Sequence, residues 1–310
     1  MSYVLAIDGG GTKTNVVCAD AAGNIIGTGL SGPTNLTSTN VGAASFNLHE
    51  AVRQASEHVS KEESITHAVM GLAGMDTPED YALSFGTLKK VLDQFGVQHF
   101  TLVNDVVIAL ENGSDALQAV VLIAGTGSNC YGKNTVGETT LAGGMDYLLA
   151  DQGSGYAIGR QVLREAVKSF DGRSPKSVLE QLVCQHFGIA SILDLKAKVY
   201  NPVLPKHEIA QLSRLCTQAF AQQDTVAQWI IEKTIRDLEQ HITAVVARLG
   251  MQAEAFDCVL AGSIVELPEI KEPLVVQLQA KFTNIRVIFP EEPPVHGALK
   301  MALRAQAVSP

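Results

Sequence analysis

The sequence predicts an α/β protein built from two related halves, and three observations carry that expectation. The chain has 310 residues, about twice the usual length of a single domain. A strand that runs into a glycine-and-threonine loop, followed by two more short strands, occurs at the start and again about 115 residues later. Between and after these meanders, apolar residues recur at three- and four-residue spacing, as in helices with one buried face. Two such halves can enclose a cleft. The boundary is expected at the second meander, giving domains 1–117 and 118–310, with the last helix, about 295–305, able to pack back on the first.

Taken in order, Tyr3 to Ile7 is an apolar run rich in strand formers, ending in Asp8-Gly9-Gly10-Gly11-Thr12-Lys13-Thr14 before a second run, Val16 to Ala19. A third strand is expected near Asn24 to Gly29, after the turn Ala22-Gly23. Helix follows over Val41 to about Val59, strand over Thr66 to Leu72, and helix over Pro78 to Phe95. Phe100 to Val103 reads as a short strand and Val106 to Leu110 as a helical turn or two. The second meander is Ala119 to Ala124, the loop Gly125-Thr126-Gly127-Ser128, and candidate strands at Asn129 to Gly132 and Thr139 to Ala142. Helical spacing then covers Gly155–Phe170, Pro175–Phe187, Lys206–Gln222 and Thr225–Leu249. Phe256 to Leu260 reads as strand, Leu267 to Phe282 as helix, Arg286 to Phe289 as strand, and Val295 to Ala305 as the closing helix.

Composition narrows the function classes. Apolar residues make up 46% and charged residues 18%, enough to bury a core and unlike a disordered or fibrous chain. Twenty-three basic against 32 acidic residues give a net charge of −9 with no basic cluster, so nucleic acid and anionic membrane are poor partners. Cysteines 18, 130, 184, 216 and 258 stand singly, without metal or disulfide spacing, as expected of reduced thiols in a cytoplasmic protein. No apolar run approaches the ~20 residues of a membrane span, and no signal peptide is expected ahead of the first strand.

The type of glycine loop decides what it can hold. Dinucleotide and P-loop fingerprints both need a helix after the glycines, whereas Gly9-Gly10-Gly11 is followed by strand. What remains is a phosphate loop between two strands: glycine lets the backbone approach an anion, and successive N–H groups form a concave donor surface. Thr12 and Thr14 can add hydroxyls, and each bond to a charged oxygen is worth roughly 1.5–3 kcal/mol. A plain hairpin turn would need only two glycines, but the second loop after a matching strand favours phosphate. Candidate phosphate ligands are thus Gly10, Gly11, Thr12, Thr14, Gly125, Thr126 and Gly127. Asp8, at the exit of an apolar strand, could hold Mg²⁺ through water or serve as a turn aspartate accepting from the loop amides. Lys13 is expected to be solvated.

These residues resemble a known superfamily. Asp8-Gly9-Gly10-Gly11-Thr12 is similar to the first phosphate motif of the actin, hexokinase and heat-shock chaperone ATPases, and Gly125-Thr126-Gly127-Ser128 to the second. Leu260-Ala261-Gly262-Ser263 resembles their adenosine motif, while Asp105 and Val295-His296-Gly297-Ala298 occupy the two connecting segments. Ile123 to Cys130 and Asp151-Gln152-Gly153-Ser154-Gly155 are similar to the N-acetylglucosamine kinase branch, which shares its domain with the BadF/BadG/BcrA/BcrD ATPases. The resemblance implies two ribonuclease-H-like, actin-like ATPase domains, each a mixed β-sheet flanked by helices, closing over ATP and sugar. It implies Asp105 as catalytic base, Asn35 and Asp151 as sugar-hydroxyl ligands, Asn129 beside them, and Gly262 and Ser263 at the nucleotide. ATP and Mg²⁺ are the implied cofactors; the partners are small molecules, with a homodimer left open.

Asp105 is equally ordinary as a helix N-cap, and Asp151 or Ser154 could cap the helix near Gly155. As a base, Asp105 would orient a sugar hydroxyl attacking the γ-phosphoryl group, a role worth ~10²–10⁴ in rate. The chain departs from the kinases where they show Gly-Trp-Gly: it reads Gly144-Met145-Asp146. If Asp146 faces the pocket it attracts a cationic 2-amino group, making glucosamine a competitor to N-acetylglucosamine; if it faces solvent it does not. The expected function is phosphorylation of N-acetylglucosamine by ATP, by analogy at the 6-hydroxyl. The alternatives are a glucosamine or other hexosamine kinase, and an ATPase activator or regulator without kinase activity.

Overall fold

The computed structural model describes residues 1–308 except Thr37, Lys61 and Asp76, and the chain divides into two compact units. The first is Met1–Ala116 together with the segment from Ile288 on; the second is Leu117–Val287. The first opens with β1 (Ser2–Gly9), β2 (Thr14–Asp20) and β3 (Ile25–Ser31), then α1 (Val41–Ala55), β4 (Ser64–Leu72), α2 (Pro78–Leu92), β5 (His99–Asn104) and α3 (Asp105–Gly113). In the second, β6 (Ala119–Ala124), β7 (Ser128–Lys133) and β8 (Thr139–Gly143) precede α4 (Asp146–Leu149), α5 (Gly155–Asp171), α6 (Leu179–Phe187) and α7 (Leu195–Tyr200). After these come α8 (Lys206–Gln211), α9 (Ser213–Ala221), α10 (Thr225–Arg248), β9 (Phe256–Ala261), α11 (Pro268–Lys281) and β10 (Ile285–Ile288). Helix α12 (Val295–Val308) belongs to the first unit.

Alternation along β1 shows how the first core is built. Tyr3, Leu5 and Ile7 enter a cluster with Leu48, Ala51 and Val52 of α1 and Leu88, Val91 and Leu92 of α2. Val4 and Ala6, on the opposite face, join Ile108 of α3 and Val295, Ala298, Leu299 and Ala302 of α12. The sheet, in the order β3-β2-β1-β4-β5, therefore lies between two helical layers. Strand β1 is antiparallel to β2 and parallel to β4, which is parallel to β5.

The second sheet has the order β10-β9-β6-β7-β8, with β6 antiparallel to β7 and parallel to β9. Strand for strand this is the order of the first sheet with β6 in the place of β1, so the duplication expected from the two meanders is present in the topology. Ala119 to Leu122 are fully buried, as a central strand covered on both faces requires.

The helices differ from expectation at one informative point. The pattern Lys206–Gln222 reads as one helix, yet it breaks at Leu212, whose N–H bonds the carbonyl of Ile209 three residues back. Ala210, Leu212, Leu215, Cys216 and Ala219 are buried on either side of the break, so apolar spacing runs through it undisturbed. The short helices α4 and α7 also lie outside the sequence expectation, being too short to show a period.

Candidate functional site

In the first unit, the C-terminal ends of three parallel strands bring the expected residues together. Asp8 is in register with Gly71, Gly9 with Leu72, and Leu72 with Asn104 at the end of β5. With neighbouring strands ~4.8 Å apart, Asp8 and the start of α3 lie two strands, roughly 10 Å, from one another. Such strand ends are where open α/β sheets bind ligands.

The loop at 10–13 is closed by a hydrogen bond from the Gly10 N–H to the Lys13 carbonyl, 2.9 Å. The Gly10 carbonyl accepts from the N–H groups of Thr34 and Asn35, both at 3.3 Å, so the segment carrying Asn35 is tied directly to the glycine loop. Gly11 and Thr12 are exposed at the tip, and a Cβ on Gly11 would come within 2.8 Å of Ser38 Oγ. Thr14 corrects the expectation of a phosphate hydroxyl. It is fully buried, its Oγ1 donates to the Gly32 carbonyl at 2.8 Å and lies 3.0 Å from Thr34 Oγ1, so it braces the loop from beneath. Gly10 is likewise a loop former, with both its amide and its carbonyl engaged inside the protein.

Asp8 is partly buried, and burial pushes its carboxyl above the usual range; the charge of Lys13 and a hydrogen bond with Asn15 oppose this without offsetting it. Lys13, expected to be merely solvated, thus acts on the charge of Asp8. At α3 the cap is Asn104, whose side-chain oxygen accepts from the Val106 N–H at 3.2 Å while its amide nitrogen lies 3.4 Å from the Met75 carbonyl. Asp105 is the first residue inside the helix, so the capping explanation of this aspartate belongs to its neighbour.

In the second unit, the loop after β6 is seated on the start of α5. The Gly125 and Thr126 carbonyls accept from the N–H groups of Gly155 and Tyr156 at 2.8 and 3.2 Å, and Gly125 N–H donates to the Gly127 carbonyl at 2.9 Å. Those first helical N–H groups are therefore satisfied by the loop itself. Thr126 is exposed. The parallel pair β6 and β9 sets Ile123 opposite Ala261, so Gly262 and Ser263 emerge beside the loop; Gly262 has φ 103° and a Cβ there would meet the Ala124 carbonyl. Ser263 is exposed.

Of the expected sugar ligands of this unit, Asp146 and Asp151 are brought together, and Asn129 lies against Gly144. Asp151 is only 5% exposed, and a Cβ on Gly127 would stand 2.8 Å from its Oδ2. Ser154, rather than Asp151, caps α5: its hydroxyl accepts from the Ala157 N–H and donates to the Asp151 carbonyl. The side chain of Asn129 lies against Gly144, and its Oδ1 is buried without a hydrogen-bond partner. Asp146 holds a left-handed backbone, φ 65°, a conformation aspartate tolerates better than most residues.

A residue absent from the sequence expectation completes the cluster. Lys206, at the head of α8, places Nζ 2.6 Å from Asp146 Oδ1 and 2.9 Å from Asp151 Oδ2, so the two carboxylates share one ammonium. Burial pushes the Asp146 carboxyl up, but the hydrogen bonds from Lys206 and the Tyr147 N–H and the lysine charge outweigh it and hold the group below the usual range. Burial pulls Lys206 down, yet its two carboxylate partners raise it on balance. Lys206 arrives there because α8 packs tightly on α5: a Cβ on Gly159 would stand 1.8 Å from the Ile209 carbonyl oxygen. The signal for this in the sequence is the pair Gly155 and Gly159, four residues apart on one helix face.

A profile of the BadF/BadG/BcrA/BcrD ATPase family matches residues 5–305. The chain belongs to this family. It is 29% identical to a Clostridium acetobutylicum protein named N-acetylmuramic acid/N-acetylglucosamine kinase, over 97% of this chain and 98% of that protein. It is 28% identical to the N-acetyl-D-glucosamine kinase of Dictyostelium discoideum over the same shares, 97% and 98%. A crystal structure of a candidate N-acetylglucosamine kinase from Chromobacterium violaceum matches with a TM-score of 0.75 at 21% identity, covering 97% of this chain and 98% of that one. That likeness establishes the actin-like ATPase fold for this BadF/BadG/BcrA/BcrD family member. Among the described residues no helix is long and apolar enough to cross a membrane.

Proposed function

We propose that this chain is an ATP-dependent amino-sugar kinase that phosphorylates N-acetylglucosamine at the 6-hydroxyl. The observation that carries it is the gathering at the strand ends of the first unit: Asp105, the first residue of α3, follows β5 where Asp8 and the Asn35 segment tied to the Gly10 carbonyl also stand. The names of the two curated relatives supply the acceptor class.

In this reading Gly11 and Thr12 are phosphate ligands of the first unit; in the second, Thr126 and Gly127 are phosphate ligands, while Gly262 and Ser263 border the nucleoside. Gly10, Thr14 and Gly125 hold the loops in shape. Asp105 accepts the proton of the attacking hydroxyl and orients its oxygen toward the γ-phosphorus; an ordinary carboxylate suffices because a loose phosphoryl transfer asks chiefly for positioning. Asn35 is the sugar-hydroxyl ligand of the first unit and Asp151 that of the second, where the partnerless Asn129 Oδ1 is an acceptor for a hydroxyl or amide N–H of the sugar.

Among the described residues no group of three or more ligating side chains gathers, which suits Mg²⁺ carried in by the phosphates and touched by the protein only through water. Asp8, a partly buried carboxylate at the strand exit, fits that outer position. The ion would neutralise charge on the phosphate oxygens. The activator alternative requires cysteines able to share a cluster, whereas Cys18, Cys130, Cys216 and Cys258 are buried and Cys184 alone of the five is half-buried.

The test is a panel of sugars in a coupled assay for ADP. N-Acetylglucosamine should raise ADP release over the no-sugar rate, with phosphate found on the 6-oxygen. Release that is independent of every sugar would remove the kinase reading.

A further inference from the structure

We propose that Lys206 sets the charge preference of the sugar site, favouring neutral N-acylated amino sugars over those with a free, cationic 2-amino group. This rests on the amino-sugar kinase reading.

Lys206 is fixed by its surroundings to a degree unusual for a lysine at a helix start. Its ammonium contacts Asp146 at 2.6 Å and Asp151 at 2.9 Å and lies 5.4 Å from the centroid of the Tyr147 ring. The helix that carries it lies directly on α5, where Gly155 and Gly159 leave room for the Ile209–Ala210 backbone. Asp151 is almost completely buried, and burying a carboxylate is costly unless a cation pairs with it. Lys206 supplies that cation and fixes which way the carboxylate points.

Charge arithmetic then gives the direction in which each variant moves the selectivity. Two carboxylates and one ammonium leave this cluster at −1; without the ammonium it stands at −2, and without Asp146 it is neutral. A 2-ammonium entering beside Asp146 meets a carboxylate already engaged and a like charge behind it. An N-acetyl group meets neither penalty, and its N–H finds the buried, partnerless carbonyl oxygen of Asn129. Lys206 is thus a positioning and specificity residue, acting through Asp146 and Asp151. It also answers the question posed by Gly144-Met145-Asp146: the carboxylate that would attract glucosamine is held by the protein's own cation.

The experiment compares kcat/KM for N-acetylglucosamine and glucosamine, at a pH where the sugar amine is protonated, in the full-length chain and three variants. The wild type should prefer the N-acetyl sugar. Lys206→Met, which keeps the stem and removes the charge, should lower the ratio by about 10-fold or more, chiefly through KM. Lys206→Arg should restore most of the ratio. Asp146→Asn, at a side chain 63% exposed and so harmless to folding, should raise it. A wild type that uses glucosamine as well as N-acetylglucosamine overturns the proposal. So does a ratio that stays within about twofold in Asp146→Asn and in a folded Lys206→Met protein. If Lys206→Met does not fold, the wild-type ratio and Asp146→Asn decide alone. A wild type that phosphorylates neither sugar fails differently, because there is then no ratio to move, and it removes the kinase reading together with this inference.

Discussion

The contact between α5 and α8 yields the most quantitative prediction. Gly159 has no room for a side chain: an alanine Cβ would stand 1.8 Å from the Ile209 carbonyl oxygen, and the nearest atom is backbone, so no rotamer change relieves it. Restoring ordinary contact requires α8 to retreat by about 1.6 Å, and overpacking of this kind costs about 1–3 kcal/mol. Alanine in place of a helical glycine returns up to about 1 kcal/mol through helix propensity. With a rigid obstacle the cost lies at the upper end, so the net loss should be about 2 kcal/mol, or a melting midpoint lower by roughly 4–8 °C for a unit of this size. The same retreat moves Lys206 away from Asp151, and a displacement of this order at a substrate-positioning group can cost up to about 100-fold in rate. The assay is thermal unfolding by circular dichroism alongside steady-state kinetics with N-acetylglucosamine. Gly86→Ala is the control: that helical position in α2 has nothing within 4 Å and should be stabilised by up to about 1 kcal/mol. A Gly159→Ala protein that melts with the wild type and keeps its KM would refute the reasoning from close packing to site geometry.

Three further outcomes follow from the site and the cores. Asp105→Asn should retain ATP binding by calorimetry and lose about 10²–10⁴ in kcat, and an undiminished rate would take Asp105 out of the mechanism. Asp8→Asn should raise the Mg²⁺ concentration for half-maximal activity by about 10-fold, as loss of an outer-shell partner does, with an unchanged Mg²⁺ titration counting against its role. Burial pushes the thiols of Cys216 and Cys258 up to about 12. Since the unfolded chain releases those protons near pH 8.5, their contribution is complete below that pH and is lost as pH rises towards the folded value, by about 1.4 kcal/mol per pH unit for each thiol. Urea unfolding at pH 7 and pH 10 measures this, and equal midpoints would show that the thiols are not held neutral.

How much was legible in the chain follows from what kind of interaction each feature depends on. The two meanders, the glycine loops and the long helices are local, because strand alternation, turn residues and helical spacing act within a few neighbours in sequence. Even there, periodicity passed through the break at Leu212, since both flanking segments bury a continuous apolar face. The roles of individual polar residues were less accessible. Thr14 and Thr12 read alike as hydroxyls on one loop, yet one is buried beneath it and the other exposed at its tip. The choice between capping and site roles at Asp105 and Asp151 depended on whether Asn104 and Ser154 took the caps.

By itself the sequence determined the order of the strands and the long helices, the repeated loop-bearing meander and the family to which the chain belongs, because each is written in short-range pattern. Only the tertiary structure decided that Lys206 stands between Asp146 and Asp151. That meeting depends on how closely two helices approach, which is set by the missing side chains of Gly155 and Gly159, and no pattern around Lys206 itself encodes it.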